Sequence, residues 1–167
     1  YNWVRLDPEG PMSTSNIRMI HRFTGLLDEE WFFKTHVIIE SEAASAVSAL
    51  MNATQAGSFG ELLSHLVALE EALWRVVRAG LPIMYERSRD GIPHCSEHIF
   101  YHVLRPLIAS GKVLFQDSKG ERKEVKLTGP SGAMSSLLPL VDAALGIKTS
   151  SDRLRQALDL FEQSMPK

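Results

Sequence analysis

Residues 98–107 combine two aromatic side chains with an arginine at helical spacing. Phe100 and Tyr101 stand five and four positions before Arg105, which places both rings and the guanidinium around one face of a helix. A flat aromatic ligand that carries a carboxylate suits this combination. The structural alternative is that Phe100 belongs to the core with its apolar neighbours and Arg105 is a solvated charge. From this stretch alone, the structural alternative is favoured.

Phe32 and His36 form a second candidate pair, four residues apart in a long apolar segment. They share one face of a helix, and Glu40 and Ala43 continue that face. A lone histidine on such a face is usually a core residue with its hydrogen bonds satisfied. The alternative is a ligand or substrate contact.

His94, Cys95 and His98 first suggest a metal site, because a spacing of four can present two imidazoles on one helix face. A typical zinc site needs three or four ligands, and Pro93 leaves His94 at a frayed helix start. We therefore predict no metal at these residues.

The overall composition excludes several classes of protein. With 167 residues, 44% of them hydrophobic, the chain can bury one sizeable core, so one domain is the default. A net charge of -2, with acids and bases interspersed, favours neither nucleic acid nor a membrane surface as a partner. The single cysteine excludes a disulfide framework and predicts a reducing, cytoplasmic compartment. No apolar run reaches the roughly 18 residues of a membrane span, and the first residues lack the charged start and apolar core that would predict a signal peptide.

The first half of the chain is predicted to be helical after a short arm. Residues 1–12 are interpreted as an extended arm or loop, and residues 13–16 offer N-caps for a short helix that stops near Gly25. Asp28 is predicted to cap a long, largely buried helix that carries the second candidate pair. Its run of small residues permits close approach of another helix or a flat ligand.

The rest of the chain is predicted to add helices and one hairpin. Ser58 and Glu61 fit a capping box for a scaffold helix that runs to about Arg87, with an interruption at residues 80–82. Two short apolar segments around a turn predict a peripheral β-hairpin near residues 113–127. About six helices and one hairpin make the predicted fold mainly α.

A loop of small residues, 129–136, precedes a helix that ends at Gly146. Such a loop lets backbone amides and a hydroxyl approach a ligand closely. It has neither the lysine nor the spacing of a P-loop, so nucleotide binding has little support.

Five motifs follow one another in a fixed order along the chain. They are Asn2-Trp3 through Asp7-Pro8, Trp31-Phe32-Phe33 through Glu40, residues 100–105, residues 129–136 and residues 142–147. Together they resemble the indoleamine 2,3-dioxygenase family, part of the tryptophan dioxygenase superfamily of haem enzymes. The resemblance covers nearly the whole chain and is closer to bacterial members.

The resemblance implies a mainly α, bundle-like haem domain. Its activity would be cleavage of the indole C2–C3 bond of tryptophan by O2 on ferrous haem b, giving N-formylkynurenine. The partners would be a small-molecule indole substrate and O2. Two alternatives stay open: a relative that acts on another indole or pyrrole in specialised metabolism, and a non-catalytic O2-binding haem protein of the same fold.

The resemblance also assigns the candidate substrate-binding residues. Arg105 corresponds to the arginine that binds the substrate carboxylate, in agreement with the bidentate geometry of a guanidinium. Phe32 corresponds to a pocket aromatic, and Phe100 and Tyr101 to a pair of pocket phenylalanines. Tyr101 is therefore a departure that adds a hydroxyl to an apolar wall.

His36 stands where animal members of the family carry a serine and tryptophan dioxygenases carry a distal histidine. The resemblance makes it the candidate catalytic residue, able to accept the indole N–H or to influence bound O2. Ser131 matches the serine of the family's Gly-Gly-Ser-Ala loop near the haem. Ser131 and Gly132 are the expected substrate contacts of this loop, and both join Ala133 as expected haem contacts. Pro130 changes the loop and puts its backbone geometry in doubt.

No histidine of this chain corresponds to the family's proximal haem ligand. In the family that histidine follows a Met-Pro segment, and this chain stops at Met165-Pro166-Lys167. The family's small N-terminal domain has no counterpart either. We therefore expect residues 1–167 to be a single domain, the central part of the large haem domain. The missing segments of the same protein would be further partners, with the proximal histidine just beyond Lys167.

Overall fold

The computed structural model describes residues 2–108, 111–127 and 137–148, together with residues 135, 151, 155, 156, 158 and 159. Two compact units are distinguished, Tyr1–Leu104 and Arg105–Lys167. The described residues are mainly helical with two small antiparallel hairpins, which confirms the predicted fold class. Across the described ranges, no helix is long and apolar enough to cross a membrane.

The chain opens with a hairpin where a short helix was predicted. Strands β1 (Trp3–Arg5) and β2 (Ile17–Met19) pair antiparallel, with Trp3 opposite Met19. The side chain of Asn16 closes the connecting loop: its amide oxygen accepts from the Asp7 N–H at 2.8 Å, and its amide group donates to the Asp7 carbonyl at 2.9 Å. The predicted helix was wrong because the polar residues before β2 stabilise this loop rather than cap a helix.

Helix α1 (Leu27–Thr54) is the central element of the first unit. Its 28 residues give it a length of about 42 Å. Val37 and Ile38 form a buried cluster with Ile17 of β2, which fixes the hairpin on the helix. Asp28 lies in the first turn, and the N-cap position belongs to Leu26, so the predicted cap was wrong.

Helix α2 (Phe59–Arg75) packs along α1. The buried Ala46 of α1 and Ala72 of α2 have no exposed surface, and small residues of this kind let two helices approach closely. The N-cap half of the predicted capping box is present, whereas the Glu61 carboxylate bonds one residue before the N-cap, Ser58. The Glu61 N–H donates to the Ser58 hydroxyl at 3.2 Å, and the Glu61 carboxylate accepts from the Gly57 N–H at 2.8 Å.

The scaffold helix does not continue as α-helix to Arg87. A π-helix (Val76–Gly80) and a 3-10 helix (Leu81–Tyr85) follow α2. The boundary between these two helices falls within the predicted interruption at residues 80–82. After a loop come the short helix α3 (Glu97–Ile99) and a second π-helix (Phe100–Leu104). Phe100 and Tyr101 therefore lie on π-helical backbone. Such backbone is rare and often occurs at functional sites.

The second unit begins with the short helix α4 (Arg105–Ile108). Strands β3 (Gly111–Gln116) and β4 (Arg122–Leu127) form the predicted hairpin, with Val113 opposite Val125. Helix α5 (Leu137–Leu145) ends at Gly146, whose φ of +67° is the left-handed conformation that glycine adopts without strain.

Candidate functional site

A cavity of about 710 Å³ lies within the first unit. The N-terminal half of α1 forms one side, and the segment from Met84 to Tyr101 forms the other. Three of the predicted substrate-binding residues, Phe32, Phe100 and Tyr101, line it. The structure thus brings together side chains that lie almost 70 positions apart in the sequence.

The predicted residues form a continuous row of rings. The Phe32 centroid lies 4.9 Å from that of Phe100, and the Phe100 centroid lies 5.1 Å from that of Tyr101, with the two rings almost perpendicular at 76°. On the other side, the Phe32 centroid is 4.5 Å from that of His36. Contacts of this geometry are favourable between aromatic rings. Phe32 and Phe100, inclined by 40° to one another, give the cavity apolar ring surface that suits an aromatic ligand.

His36 stands at the end of this row and is half-buried, but it is not among the residues that line the cavity. Its Nδ1 lies 2.8 Å from the Phe32 carbonyl oxygen. A carbonyl only accepts, so Nδ1 carries the proton, and in the neutral ring Nε2 is the acceptor nitrogen. The contact with the Phe32 carbonyl thus fixes the tautomer of the neutral ring.

The contacts that attach residues 86–96 to α1 were not predicted from the sequence. Trp31 donates its indole N–H to the Ile83 carbonyl at 3.0 Å and stacks on His94, with ring centroids 4.1 Å apart. Asp28 accepts a hydrogen bond from the Ser96 N–H at 2.7 Å. These contacts fix the loop of residues 86–96 on α1. Their partners are more than 50 residues apart, so no local pattern could have indicated them.

Cys95 also lines the cavity and is half-buried. Burial, with a smaller contribution from the negative charge of Asp28, raises the pKa of its thiol to about 11. The thiol is therefore protonated at neutral pH. In its protonated form this thiol is a poor nucleophile.

The histidines of this region contact other rings. His94 stacks on Trp31, and the His98 and His102 rings lie at a tilt of 44° with centroids 4.7 Å apart. In the described ranges, no three histidine, cysteine or acidic side chains come together as a metal site.

The described lining of the cavity does not include Arg105. Arg105 is the first residue of α4 in the second unit, and its side chain is exposed. Ser131, Gly132 and Ala133 lie outside the described residues. Their assignments to substrate and haem stay predictions.

The family model that describes indoleamine 2,3-dioxygenase matches residues 1–167 of the chain. The chain belongs to the indoleamine 2,3-dioxygenase family. Among its relatives is a 6-hydroxytryptophan 2,3-dioxygenase of Fusarium equiseti, 31% identical over 155 residues, which are 86% of this chain and 36% of the relative. An indoleamine 2,3-dioxygenase of Aspergillus candidus is 28% identical over 148 residues, 81% of this chain and 35% of the relative. Indoleamine 2,3-dioxygenase 1 of mouse is 27% identical over 153 residues, 88% of this chain and 36% of the relative.

The chain thus spans about a third of the length of the curated relatives that it matches. The resemblance seen in the motifs is confirmed at the level of the family. These three relatives come from fungi and a mammal, so the closer likeness to bacterial members stays a prediction.

Proposed function

We propose that the protein acts as a haem-dependent dioxygenase that cleaves the indole C2–C3 bond of tryptophan. In this reaction both atoms of O2 enter the product, N-formylkynurenine: one becomes the ketone oxygen at the former C3 and the other the formyl oxygen at the former C2. The observation that best supports the proposal is the row of rings from His36 through Phe32 and Phe100 to Tyr101. Family membership supplies the reaction class.

In this proposal the aromatic wall binds and orients the substrate. Phe32 and Phe100 would pack against the faces and edges of the indole and exclude water from it. His36 is proposed, from the family resemblance, to accept the indole N–H. Arg105 is proposed, from the family resemblance, to bind the substrate carboxylate as a bidentate pair.

Haem would supply the activation of O2, as it does in this family in general. The described residues do not by themselves form its site. Of the six histidines, only His98 lines the cavity, and its ring contacts that of the exposed His102 at a tilt of 44°. The loop proposed to contact haem, with Ser131, Gly132 and Ala133, lies outside the described residues. The cavity is therefore proposed as the substrate side of the site, and the iron ligand is not assigned.

The experiment that tests this function uses the full-length, haem-loaded and reduced protein with tryptophan and isotopically labelled O2. The expected result is N-formylkynurenine that carries both labelled oxygen atoms, detected by mass spectrometry. A product with one labelled atom would exclude a dioxygenase. A stable complex with O2 and no product would favour the alternative of a non-catalytic O2-binding protein.

A substrate other than tryptophan is the second candidate, and two observations favour it. Tyr101 places a hydroxyl on the wall where the family has a phenylalanine. One relative is named for its action on 6-hydroxytryptophan. The same assay with a panel of indoles and pyrroles distinguishes the two candidates by their kcat/KM values.

A further inference from the structure

Residues 86–94 form a closed loop that is held by its own hydrogen bonds. The Ser88 N–H donates to the Ile92 carbonyl at 2.8 Å, and nearer the base of the loop the His94 N–H donates to the Glu86 carbonyl at 3.1 Å. These bonds join the two sides of the loop, as they do in a β-hairpin. The loop can therefore move as one piece without breaking them.

This loop and the two residues after it form part of the cavity wall. Arg87 and Pro93, which pair with each other as an isolated antiparallel bridge, both line the cavity. Cys95 and Ser96 follow the loop and line it as well. Each of residues 86–96 is exposed or half-buried. A segment that buries so little opens at a lower free energy than the core does.

The two ends of the loop are fixed on α1. Before the loop, the Ile83 carbonyl accepts from the Trp31 indole N–H at 3.0 Å. After it, the Ser96 N–H donates to the Asp28 carboxylate at 2.7 Å. Asp28 and Trp31 are three residues apart on the helix, so they are neighbours on its surface. The chain therefore leaves and rejoins α1 at nearly the same place, and the loop between these points has two anchored ends.

Between its ends, the loop contacts α1 through the ring of His94. That ring stacks on Trp31 with centroids 4.1 Å apart and an angle of 23° between the planes. The indole is the fixed half of this pair because its N–H is bonded to the Ile83 carbonyl. A pair of stacked rings favours the closed arrangement by a factor of about 2 to 10. This preference holds the loop against the helix and is small enough to be released.

We propose that residues 86–94 are a flap, which swings about its two fixed ends to open the cavity, and that the stack of His94 on Trp31 is its latch. The inference goes beyond the proposed function, since it concerns access to the cavity and no particular substrate. Flaps of this kind let a ligand enter and then exclude water from it, with motions of microseconds to milliseconds.

The half-buried thiol of Cys95 in the cavity wall reports the opening of the flap. The full-length, haem-loaded protein is treated with N-ethylmaleimide, and the rate at which Cys95 is labelled is measured by mass spectrometry of its peptide. His94→Ala removes the latch and should be labelled about 2- to 10-fold faster than the unmodified protein. His94→Phe keeps a stacking ring and should be labelled as slowly as the unmodified protein. Arg89→Ala, at an exposed position of the same loop, is the control and should leave the rate unchanged.

Hydrogen exchange distinguishes a swinging flap from a loop that unravels. The N–H groups of Ser88 and Gly91 are bonded within the loop, so both should keep their protection in His94→Ala if the flap moves as one piece. Exchange at these two amides that accelerates as much as the labelling of Cys95 would overturn the flap. An equal acceleration in α2 would show that the variant acts through global stability and would overturn the latch.

The labelling rates decide the role of His94. An unchanged rate in His94→Ala shows that the stack does not keep the cavity closed, and the inference then fails. It fails as well if His94→Phe is labelled as fast as His94→Ala, because the ring contact would then have no effect.

Discussion

The carboxylate of Asp28 accepts a hydrogen bond from the backbone N–H of Ser96, 68 residues further along the chain, at 2.7 Å. Asp28 lies in the first turn of α1, and Ser96 is the N-cap residue of α3. The bond therefore joins the start of the helix that carries Phe32 to the start of the segment that carries Phe100 and Tyr101. It holds the two sides of the cavity together.

Asp28→Ala should loosen this junction. The variant leaves the partly buried Ser96 N–H without its acceptor, and we expect the free energy of unfolding to fall by about 1 to 3 kcal/mol. Urea denaturation measures the loss. Asp28→Asn keeps an oxygen at the same position, so it should retain most of the stability. Equal stability of the alanine variant and the unmodified protein would show that the bond contributes nothing.

Glu29 should make the stability of the protein depend on acidic pH. Its carboxylate is 1% exposed and accepts from the N–H groups of Phe23 and Thr24 at 2.6 and 2.7 Å and from the Thr24 hydroxyl at 2.6 Å. Burial raises the pKa of Glu29, but the hydrogen bonds from Thr24, Phe23 and Gly25 outweigh it, so the net pKa lies below the ordinary value of 4.5.

The direction in which stability changes with pH follows from the lowered pKa of Glu29. The ionised carboxylate stabilises the folded chain above the unfolded-state pKa, and this stability is lost as the pH falls through the folded-state pKa. Glu29→Gln should lower stability at neutral pH and flatten its acid dependence, measured by urea denaturation between about pH 7 and pH 3. Glu40→Gln, at an exposed position of the same helix, is the control and should keep the dependence.

Arg105→Ala tests the proposed carboxylate contact in the full-length enzyme. Loss of a charge-assisted pair costs about 1.5 to 3 kcal/mol, so kcat/KM for tryptophan should fall by about 10- to 100-fold. Tryptamine lacks the carboxylate and should lose little. The ratio of the two kcat/KM values is the measurement, and an equal loss for both substrates would argue against a carboxylate role. Arg105→Lys should recover only part of the activity, since an ammonium cannot form the bidentate pair.

His36→Ala tests whether this imidazole accepts the indole N–H. We expect a lower kcat/KM for tryptophan and a smaller effect on 1-methyltryptophan, whose ring nitrogen has no proton to donate. Parallel steady-state assays with the two substrates give the comparison. A matching decrease with both would instead indicate that His36 acts on bound O2.

Local features of the fold could be predicted from the sequence, whereas features that depend on distant partners could not. The N-cap bond between the Glu61 N–H and the Ser58 hydroxyl lies within four residues, and the structure confirms it. The N-terminal hairpin was missed because β1 and β2 are three residues each, too short to show strand alternation. The π-helical turn at Phe100 has no sequence pattern of its own.

The same contrast holds for the candidate site. Phe32, Phe100 and Tyr101 were identified through family motifs, and the structure brings them to one cavity. The loop side, with Trp31 on His94 and Asp28 on Ser96, depends on contacts across more than 60 residues. A sequence motif describes residues that are close along the chain, so it does not indicate contacts between residues this far apart.

The stacking of Trp31 on His94 gives the cavity a natural optical reporter. The indole of Trp31 is held between an imidazole and the Ile83 carbonyl, and it lines the cavity directly. Trp74 is 47% exposed and lies under the guanidinium of Arg78, away from that lining. The emission of Trp31 should therefore respond to a ligand or to displacement of the loop, so that occupancy of the cavity can be followed without a label.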